Sequence, residues 1–250
     1  MVRRIGFRYL APALLALLLS TLAAAAAEAQ RRSGAAAAEG TRGVFQAGYL
    51  MLDLDELNAR LLSAGYPEMD DRFLTLGGAG YRVMNRILIG GEGHGLLGRE
   101  ETTADATRRI SLNGGYGLFR LGYLLLADYG FDLVPAIGIG GGGMSLKITE
   151  RGSPTFDDVL GQPARSSTLS TGMLLVDGSV GVNYRVALGP PDRRRGGILI
   201  GLHGGYLYSP WNSSWDLDGL SDVAGGPELL IQGFYGRVTI GGWGRRGPGR

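Results

Sequence analysis

The sequence predicts an all-β protein: an eight-stranded, antiparallel, up-and-down transmembrane β-barrel with a short helix in its first long connection. Three observations predict this fold. Residues 170–186 alternate between apolar and polar side chains over an unusual length. The connections between strand-like stretches alternate between long and short along the chain. Glycine is abundant, at 45 of 250 residues, but it follows neither a collagen repeat nor a long polar tract.

The longest alternating stretch is residues 170–186. From Leu174 to Val186 its even positions are mainly apolar, whereas its odd positions include Asp177 and Arg185. Successive strand residues point to opposite faces, so one face of this strand meets an apolar medium and the other a wet one. At 17 residues it is about three times as long as the usual globular strand. Such a strand is typical of a barrel that spans a membrane.

The other elements follow in order along the chain. The eight predicted strands are residues 41–52, 72–84, 87–98, 107–126, 131–149, 170–186, 196–208 and 228–243. Residues 53–65 instead have a helical period, with Leu54, Leu57, Leu61 and Leu62 on one stripe. Asp53 or Asp55 can cap this helix, and Gly65 followed by Pro67 ends it. We therefore expect a short amphipathic helix inside the first connection.

The lengths of the seven connections give independent support for a barrel. The long ones are residues 53–71, 99–106, 150–168 and 209–227, and the short ones are residues 85–86, 127–130 and 189–195. In an up-and-down sheet the odd-numbered connections lie at one end and the even-numbered ones at the other. Outer-membrane barrels have an even number of strands, short periplasmic turns and longer outside loops. The loop lengths thus favour the same fold as the side-chain pattern.

Over roughly residues 41–243 the chain resembles the small eight-stranded outer-membrane barrels of Gram-negative bacteria, the class that includes OmpA- and OmpX-type proteins. The resemblance lies in strand pattern, strand number and loop asymmetry, and no family-specific motif carries it. It implies periplasmic termini, long loops on the outer side, and two partners: membrane lipids and the outer-membrane assembly machinery. Such barrels often end on an aromatic residue that this machinery recognises. This chain continues past Trp243 into a basic tail, residues 244–250, so Trp243 is the candidate for an internal signal.

Residues 1–29 are predicted to be a signal peptide. Three early arginines precede an apolar run at 14–19, and Ala27-Glu28-Ala29 provides a small-x-small cleavage site. The alternative, a cytoplasmic-membrane anchor, is disfavoured because the Ala-rich stretch is shorter than the ~20 residues of a spanning helix. Residues 30–40 are predicted to be a disordered lead-in to the barrel domain, residues 41–243.

Charge and composition exclude several classes of function. Without residues 1–29 the chain has 22 basic and 22 acidic residues, so its pI of about 9.0 is no reason to expect nucleic acid. The absence of cysteine and the presence of only two histidines argue against a zinc or iron–sulfur site, and we expect no cofactor.

Two local features of the fifth predicted strand need interpretation. Residues 138–143 match the dinucleotide pattern G-x-G-x-x-G, but that mechanism needs a helix after the glycines, and residues 144–149 continue a strand. We interpret the match as a glycine-rich barrel strand in which glycine permits tight curvature. Pro135 removes a ladder donor, so we expect either a bulge there or a strand that begins after it.

The candidate site is a polar network in the barrel lumen. With the apolar residues assigned outward, six ionisable residues fall on the inner face: Glu92, His94, Asp177, Arg185, His203 and Arg237. Side chains fill the interior of an eight-stranded barrel, and an unpaired buried charge is costly, so these residues should pair across the lumen. Asp177 and Arg185 are expected to neutralise each other or their neighbours. A narrow gated path for ions or small solutes is the alternative to this polar plug.

These features favour a monomeric protein with a structural or surface-interaction role, carried by its long loops, and no metal site. An extracellular ligand of those loops is left open. In the loop 209–227 we expect Trp211 and Trp215 to seat the chain near the membrane interface while Asp216, Asp218 and Asp222 face water, because their spacing does not match an EF-hand.

Two other functions stay open. A lipid-modifying barrel enzyme would use His94 with Glu92, or His203 with Asp177, as a base and its orienting carboxylate. No G-x-S-x-G elbow presents a serine, and both histidines fall in mid-strand. A soluble, periplasmic, lipocalin-like barrel would instead expose Asp177 and Arg185 and line a ligand cavity with Val176, Val180 and Val182.

Overall fold

The computed structural model describes residues 39–150, 166–188, 196–219 and 221–245. Within these residues eight strands form a closed antiparallel ring: β1 (Gly40–Met51), β2 (Arg72–Met84), β3 (Ile87–Thr102), β4 (Arg108–Tyr123), β6 (Phe131–Glu150), β7 (Ser166–Leu188), β8 (Gly196–Asn212) and β11 (Gly233–Gly244). Each pairs with the next in the chain, and β11 closes the ring on β1. The additional elements are β5 (Leu126–Asp128), β9 (Trp215–Leu217), β10 (Ser221–Val223) and a helix, α1 (Asp55–Ser63). The predicted eight-stranded barrel with a helix in its first long connection is confirmed.

The side chains of β7 show how the barrel wall separates two environments. Val176 is 40% exposed on the outer surface, whereas the next residue, Asp177, is 2% exposed inside. This alternation continues along the strand, which at 23 residues is longer than the predicted 170–186. The apolar set of β7 therefore points out of the barrel.

The half of the lumen at the long-connection end is filled with apolar side chains. Its members come from the ring, from α1 and from the last long connection, and they include Leu50, Leu57, Leu61, Phe73, Leu112, Met144, Leu175, Trp215, Leu229 and Ile231. A smaller apolar group lies toward the short-connection end: Tyr81, Val83, Leu88, Leu124, Ala127 and Val134. The interior is thus packed at both ends.

Helix α1 is fastened across the long-connection end of the barrel. Asn58 Nδ2 donates to the Met69 carbonyl at 3.1 Å, and the Met69 N–H donates back to Asn58 Oδ1 at 2.8 Å. Arg60 Nη1 donates to the Gly225 carbonyl at 2.6 Å, which ties the helix to the last long connection. Leu62 was predicted on the buried stripe, but it is 52% exposed because the helical turn rotates it away from Leu61.

The last long connection folds into the core, contrary to prediction. Trp215 is 5% exposed, and its Nε1 donates to the Pro227 carbonyl at 2.8 Å, so it does not seat a loop at a membrane interface. Trp211, by contrast, is exposed. The final strand begins at Gly233 and not at residue 228, because Leu229 and Ile231 are buried in the core as part of the connection.

Several other strand boundaries differ from prediction. β3 continues past a bulge between Leu97 and Glu100, which shortens the predicted polar loop 99–106. β8 extends to Asn212, and it carries a bulge of one extra residue opposite the β7 segment between Leu174 and Val176. The predicted strand 107–126 divides into β4 and the short β5.

Pro135 lies inside β6 without a bulge, so both expectations for it were wrong. The register with β7 is unbroken from Phe131 to Thr149. On the other side, β6 pairs with β5 up to Leu133 and with β4 from Ala136 onward. Pro135 therefore lies in the gap between two partner strands, where a missing N–H removes no ladder bond.

Several predicted segments lie outside the described residues: the signal peptide 1–29, most of the lead-in 30–40, most of the loop 150–168, the short connection 189–195 and residues 246–250 of the basic tail. These assignments stay predictions. Among the described residues, no helix is both long and apolar enough to cross a membrane.

Candidate functional site

A polar layer lies in the lumen between the two apolar groups. Glu92 and His94 reach it from β3, Asp177 from β7 and Arg237 from β11, and all four are buried. His203 on β8 and Arg185 on β7 are partly buried on the same inner face. The structure divides these residues between a central cluster and a second group nearer the short connections.

Glu92 is the centre of the cluster. Its Oε1 accepts a hydrogen bond from Arg237 Nη1 at 3.1 Å, and its Oε2 lies 3.0 Å from Arg120 Nε. The Tyr81 hydroxyl donates to Oε2 at 2.8 Å. Hydrogen bonds between ionised groups are the strongest in proteins, so two guanidinium groups hold this buried carboxylate in place.

Asp177 is joined to Glu92 through Arg120. Arg120 Nη2 forms a close ion pair with Asp177 Oδ2 and donates to the Tyr235 hydroxyl at 2.7 Å. That hydroxyl donates in turn to Asp177 Oδ1 at 2.8 Å. Two carboxylates and two guanidinium groups therefore balance in charge, which is the arrangement that a low-dielectric interior tolerates.

His94 is held between Arg237 and an aromatic ring. Its Nε2 lies 3.0 Å from Arg237 Nη1 and 3.4 Å from Glu92 Oε1, and its ring stacks on Tyr116 with the centroids 5.2 Å apart. The Arg237 guanidinium also lies 3.8 Å from the Tyr235 ring centroid and donates to the Tyr116 hydroxyl. Because arginine can only donate, Nε2 accepts in the contact with Arg237.

The second group is built around Asp132. Its Oδ2 lies 2.9 Å from Arg42 Nη2 and 2.9 Å from Arg185 Nε. The Arg185 guanidinium also lies 5.5 Å from the Trp243 ring centroid. Of the two expected alternatives, pairing with neighbours is the one observed, because Asp177 pairs with Arg120 and Arg185 pairs with Asp132.

The second histidine has a different partner from the one considered for catalysis. His203 Nε2 lies 2.9 Å from Asn183 Oδ1 and does not form the pair with Asp177. Among the described residues, neither histidine is hydrogen-bonded to a serine hydroxyl. The base-and-nucleophile arrangement of a lipid-modifying enzyme is therefore not assembled around either of them.

Several of these polar residues each lie opposite an inward-pointing glycine on a neighbouring strand. His94 is in register with Gly77, His203 with Gly181 and Arg237 with Gly48. Gly138 lies between Arg120 and Asp177, and a Cβ built there would be 3.2 Å from the Asp177 Cβ. These glycines leave the lumen space that the neighbouring long side chains occupy.

Sequence reasoning missed Arg120, Asp132 and Arg42, although two of them carried a usable signal. Arg120 stands between the outward residues Phe119 and Leu121, and Asp132 stands between the apolar residues Phe131 and Leu133. In each case the alternation alone would have placed the charge inside. Arg42 has Thr41 and Gly43 beside it, so no such contrast marks it.

A small cavity separates the two polar groups. It is lined by Arg42, Arg120, Ser179, Asn183 and His203 among others, and its free volume of about 20 Å³ has room for about one water molecule. This space is too small for a solute. Among the described residues no group of His, Asp and Glu side chains is arranged to hold a metal ion.

Comparisons with known proteins establish neither a family nor an activity for this chain. No family model and no curated protein matches the chain. Among solved structures it is similar to Ail, the attachment invasion locus protein of Yersinia pestis, at 9% identity and a TM-score of 0.39, covering 82% of this chain and 98% of that one. It is also similar to the outer membrane protease OmpT from Escherichia coli, at 11% identity and a TM-score of 0.33, covering 82% and 93%. At these scores neither match supports an activity or a partner for this chain.

Proposed function

We propose that this protein is a closed β-barrel of a bacterial outer membrane with a structural or surface-interaction role carried by its long connections. One observation supports the proposal above all others: bulky apolar side chains cover the outside of the barrel, while ionised ones are buried within it. A protein folded in water has the opposite arrangement.

The outward apolar side chains continue around the whole ring. Exposed examples are Phe45 and Tyr49 on β1, Leu74 and Leu76 on β2, Ile87 and Leu97 on β3, Phe119 and Leu121 on β4, Ile137 and Ile139 on β6, Val182 and Leu188 on β7, Ile200 and Leu202 on β8, and Val238 and Ile240 on β11. Soluble monomers rarely expose a continuous apolar surface of more than a few hundred Å². Membrane hydrocarbon is the medium that this surface fits, and the outer-membrane assembly machinery is the partner that would insert it.

The interior supports a barrel that does not conduct. Apolar side chains fill the half of the lumen at the long-connection end. The ion pairs of Glu92, Arg120 and Asp177 cross the middle of the lumen. A gated path for ions would need both the apolar half of the lumen and the polar layer to open. A monomer with a role in contacts made by its long connections is therefore favoured over a pore.

The lipocalin-like alternative conflicts with the structure. It requires Val176 and Val182 to line a cavity and Asp177 to face water, but both valines are exposed on the outside and Asp177 is buried. The enzyme alternative lacks a serine hydroxyl at either histidine among the residues described. Replacing His94 and His203 separately by Ala should leave the lipid A profile of the producing cells unchanged, and a changed profile in either strain would revive the enzyme alternative.

The proposal is tested by fractionation and by gel mobility. The protein should cofractionate with the outer membrane, require detergent for extraction, and change its electrophoretic mobility on heating because a closed barrel resists unfolding by detergent. Recovery as a monomer soluble without detergent would contradict the proposal.

A further inference from the structure

An open cleft lies at the long-connection end of the barrel, between the turn that follows α1 and the hairpin that joins β3 to β4. Residues 64–66 form one wall, and Thr103, Ala104, Asp105, Thr107 and Arg108 form the other. The free volume of about 420 Å³ is within the range of about 300–1,000 Å³ that small-molecule sites have. The apolar half of the lumen separates this cleft from the polar layer.

The hairpin wall is fixed by its own hydrogen bonds. The Thr103 hydroxyl donates to Asp105 Oδ1 at 2.6 Å, and the Thr107 hydroxyl donates to Asp105 Oδ2 at 2.8 Å. Thr103 Oγ1 also accepts from the Arg108 backbone N–H at 3.1 Å. Because both hydroxyl hydrogens are committed within the hairpin, the oxygens of these three side chains can only accept hydrogen bonds from a molecule in the cleft.

The opposite wall is the turn that ends α1. Gly65 has a φ of +79°, which glycine adopts without strain, and the Tyr66 N–H donates to the Leu61 carbonyl at 2.9 Å. The Tyr66 ring packs against the apolar core, which fixes its position. Both walls are therefore preformed by contacts within the chain.

Arg108 joins the two walls and supplies hydrogen-bond donors. Its Nη1 donates to the Tyr66 hydroxyl at 3.1 Å, and its guanidinium carbon lies 6.0 Å from the Tyr66 ring centroid. A guanidinium group has five N–H donors and no acceptor, so this contact uses one donor of five. The Tyr66 hydroxyl accepts from Arg108 and can donate its own hydrogen. The cleft thus has donors on one side and acceptors on the other.

The charges of the cleft disfavour an ionic occupant. Its lining contains one ionised residue of each sign, Arg108 and Asp105. The hairpin and the strand ends beside it have equal numbers of basic and acidic residues: Arg99, Arg108, Arg109 and Lys147 against Glu100, Glu101, Asp105 and Glu150. The chain after the turn adds Glu68, Asp70 and Asp71 against Arg72. An anion would therefore meet an acidic surrounding, and a cation would meet Arg108 inside the cleft.

We infer that this cleft binds one uncharged pyranose ring of an extracellular saccharide. A hydroxyl group both donates and accepts, so one sugar hydroxyl can donate to Asp105 or Thr107 while a neighbouring one accepts from Arg108. The Tyr66 ring offers apolar surface to the C–H groups of the sugar. The inference rests on the proposed function, because the long connections then face the outside of the cell.

The test is saturation-transfer NMR on the full-length protein in lauryldimethylamine oxide, a detergent without a sugar headgroup. The uncharged probes are glucose, galactose and N-acetylglucosamine, and the charged probes are glucosamine, a cation, and glucuronate, an anion. At neutral pH at least one uncharged probe should receive saturation from the protein. It should also bind more tightly than either charged probe.

Two substitutions in the cleft have different expected results. Arg108→Gln should weaken binding of the uncharged probe about tenfold, the value of one charge-assisted hydrogen bond. Asp105→Asn removes the charge that repels an anion, so glucuronate should bind this variant more tightly than it binds the wild type. A gain of binding distinguishes this change from a loss of folding, which would weaken every probe.

Arg109→Gln is the matched control. Arg109 follows Arg108 in β4 but points to the opposite face, where its Nη1 lies 3.1 Å from Glu100 Oε2. This variant should bind the probes as the wild type does. Each variant must first show heat-modifiable mobility, which establishes that its barrel is folded.

The outcomes separate this inference from the function on which it rests. The inference is overturned if folded wild-type protein binds none of the uncharged probes, if a charged probe binds as tightly as they do, or if Arg108→Gln binds them as the wild type does. All three results leave a membrane barrel in place. A protein that stays soluble without detergent would instead refute the proposed function itself.

Discussion

At the residue scale, Arg120 joins the two buried carboxylates of the polar layer. Its Nε lies 3.0 Å from Glu92 and its Nη2 pairs with Asp177, while Nη1 donates to Ser179 at 3.0 Å. No other described guanidinium contacts both carboxylates. Removing it would leave Asp177 with only the Tyr235 hydroxyl among these partners.

We expect Arg120→Leu to destabilise the barrel by about 3–5 kcal/mol, because it leaves buried charge without compensation. Arg109→Leu on the same strand is the control. Its partner Glu100 is exposed, so the loss there should be at most about 1 kcal/mol. Guanidinium unfolding in detergent, followed by tryptophan fluorescence, measures both. Losses of equal size would show that the polar layer does not stabilise the fold.

Asp105, in the connection between β3 and β4, predicts a local dependence on pH. The Thr103 hydroxyl donates to its carboxylate at 2.6 Å, and the Thr107 N–H and hydroxyl donate at 3.1 and 2.8 Å. These hydrogen bonds, that from Thr103 foremost, lower the pKa of Asp105 to about 2. The ordinary Asp pKa is about 3.9, so the stabilisation is complete above that pH and is lost as the pH falls through about 2.

Amide hydrogen exchange in residues 103–108 should therefore accelerate between about pH 4 and pH 2, after correction for the intrinsic rate. Asp105→Asn removes the titrating group and should abolish that acceleration. If exchange in the variant kept the same pH dependence, another group would be responsible.

At the element scale, inward glycines and long polar side chains fit together as pairs on neighbouring strands. Gly48 on β1 faces Arg237 on β11, and a Cβ on Gly48 would lie 2.0 Å from the Gly236 carbonyl oxygen and 2.9 Å from the Arg237 Cγ. Outward glycines differ: nothing lies within 4 Å of a Cβ on Gly80. Glycine thus has two separate roles on the two faces of one sheet.

We expect Gly48→Ala to destabilise the barrel by about 1–3 kcal/mol through overpacking, or to prevent its closure. Gly80→Ala on the neighbouring strand should be close to neutral. The fraction of protein with heat-modifiable mobility, together with the guanidinium midpoint, measures both effects. Equal behaviour of the two variants would mean that the lumen can expand to accept a methyl group.

Alternation along the strands predicted that Glu92, Asp177 and Arg237 face inward, but it did not mark Arg42 and could not predict which residues pair. Asp177 meets Arg120 and Arg185 meets Asp132 because of cross-strand register and the stagger of the closed ring, and neither is visible within a single strand. Leu229 and Trp215 illustrate a second limit. They belong to an irregular connection that packs into the core, so neither a helical nor a strand periodicity in the sequence identifies them as buried.

At the scale of the whole molecule, the single lysine reports the orientation of the barrel. Lys147 is exposed at the long-connection end of β6. If that end faces outward, a membrane-impermeant amine reagent should label Lys147 on intact cells, and mass spectrometry of the purified protein should locate the label. Lys147→Arg is the control that removes the reactive side chain. Labelling of Lys147 only after the outer membrane is permeabilised would reverse the orientation.

The pairing of β1 with β11, which closes the ring, affects the rate at which the chain folds. Gly48 lies opposite Arg237, so this pairing joins the two ends of the barrel sequence and has a very high contact order. Until Gly233–Gly244 arrives, every partly assembled sheet presents two unpaired edges to other chains. Closure is then a late, slow step, and the polypeptide is most prone to aggregate just before its last twelve-residue strand is added.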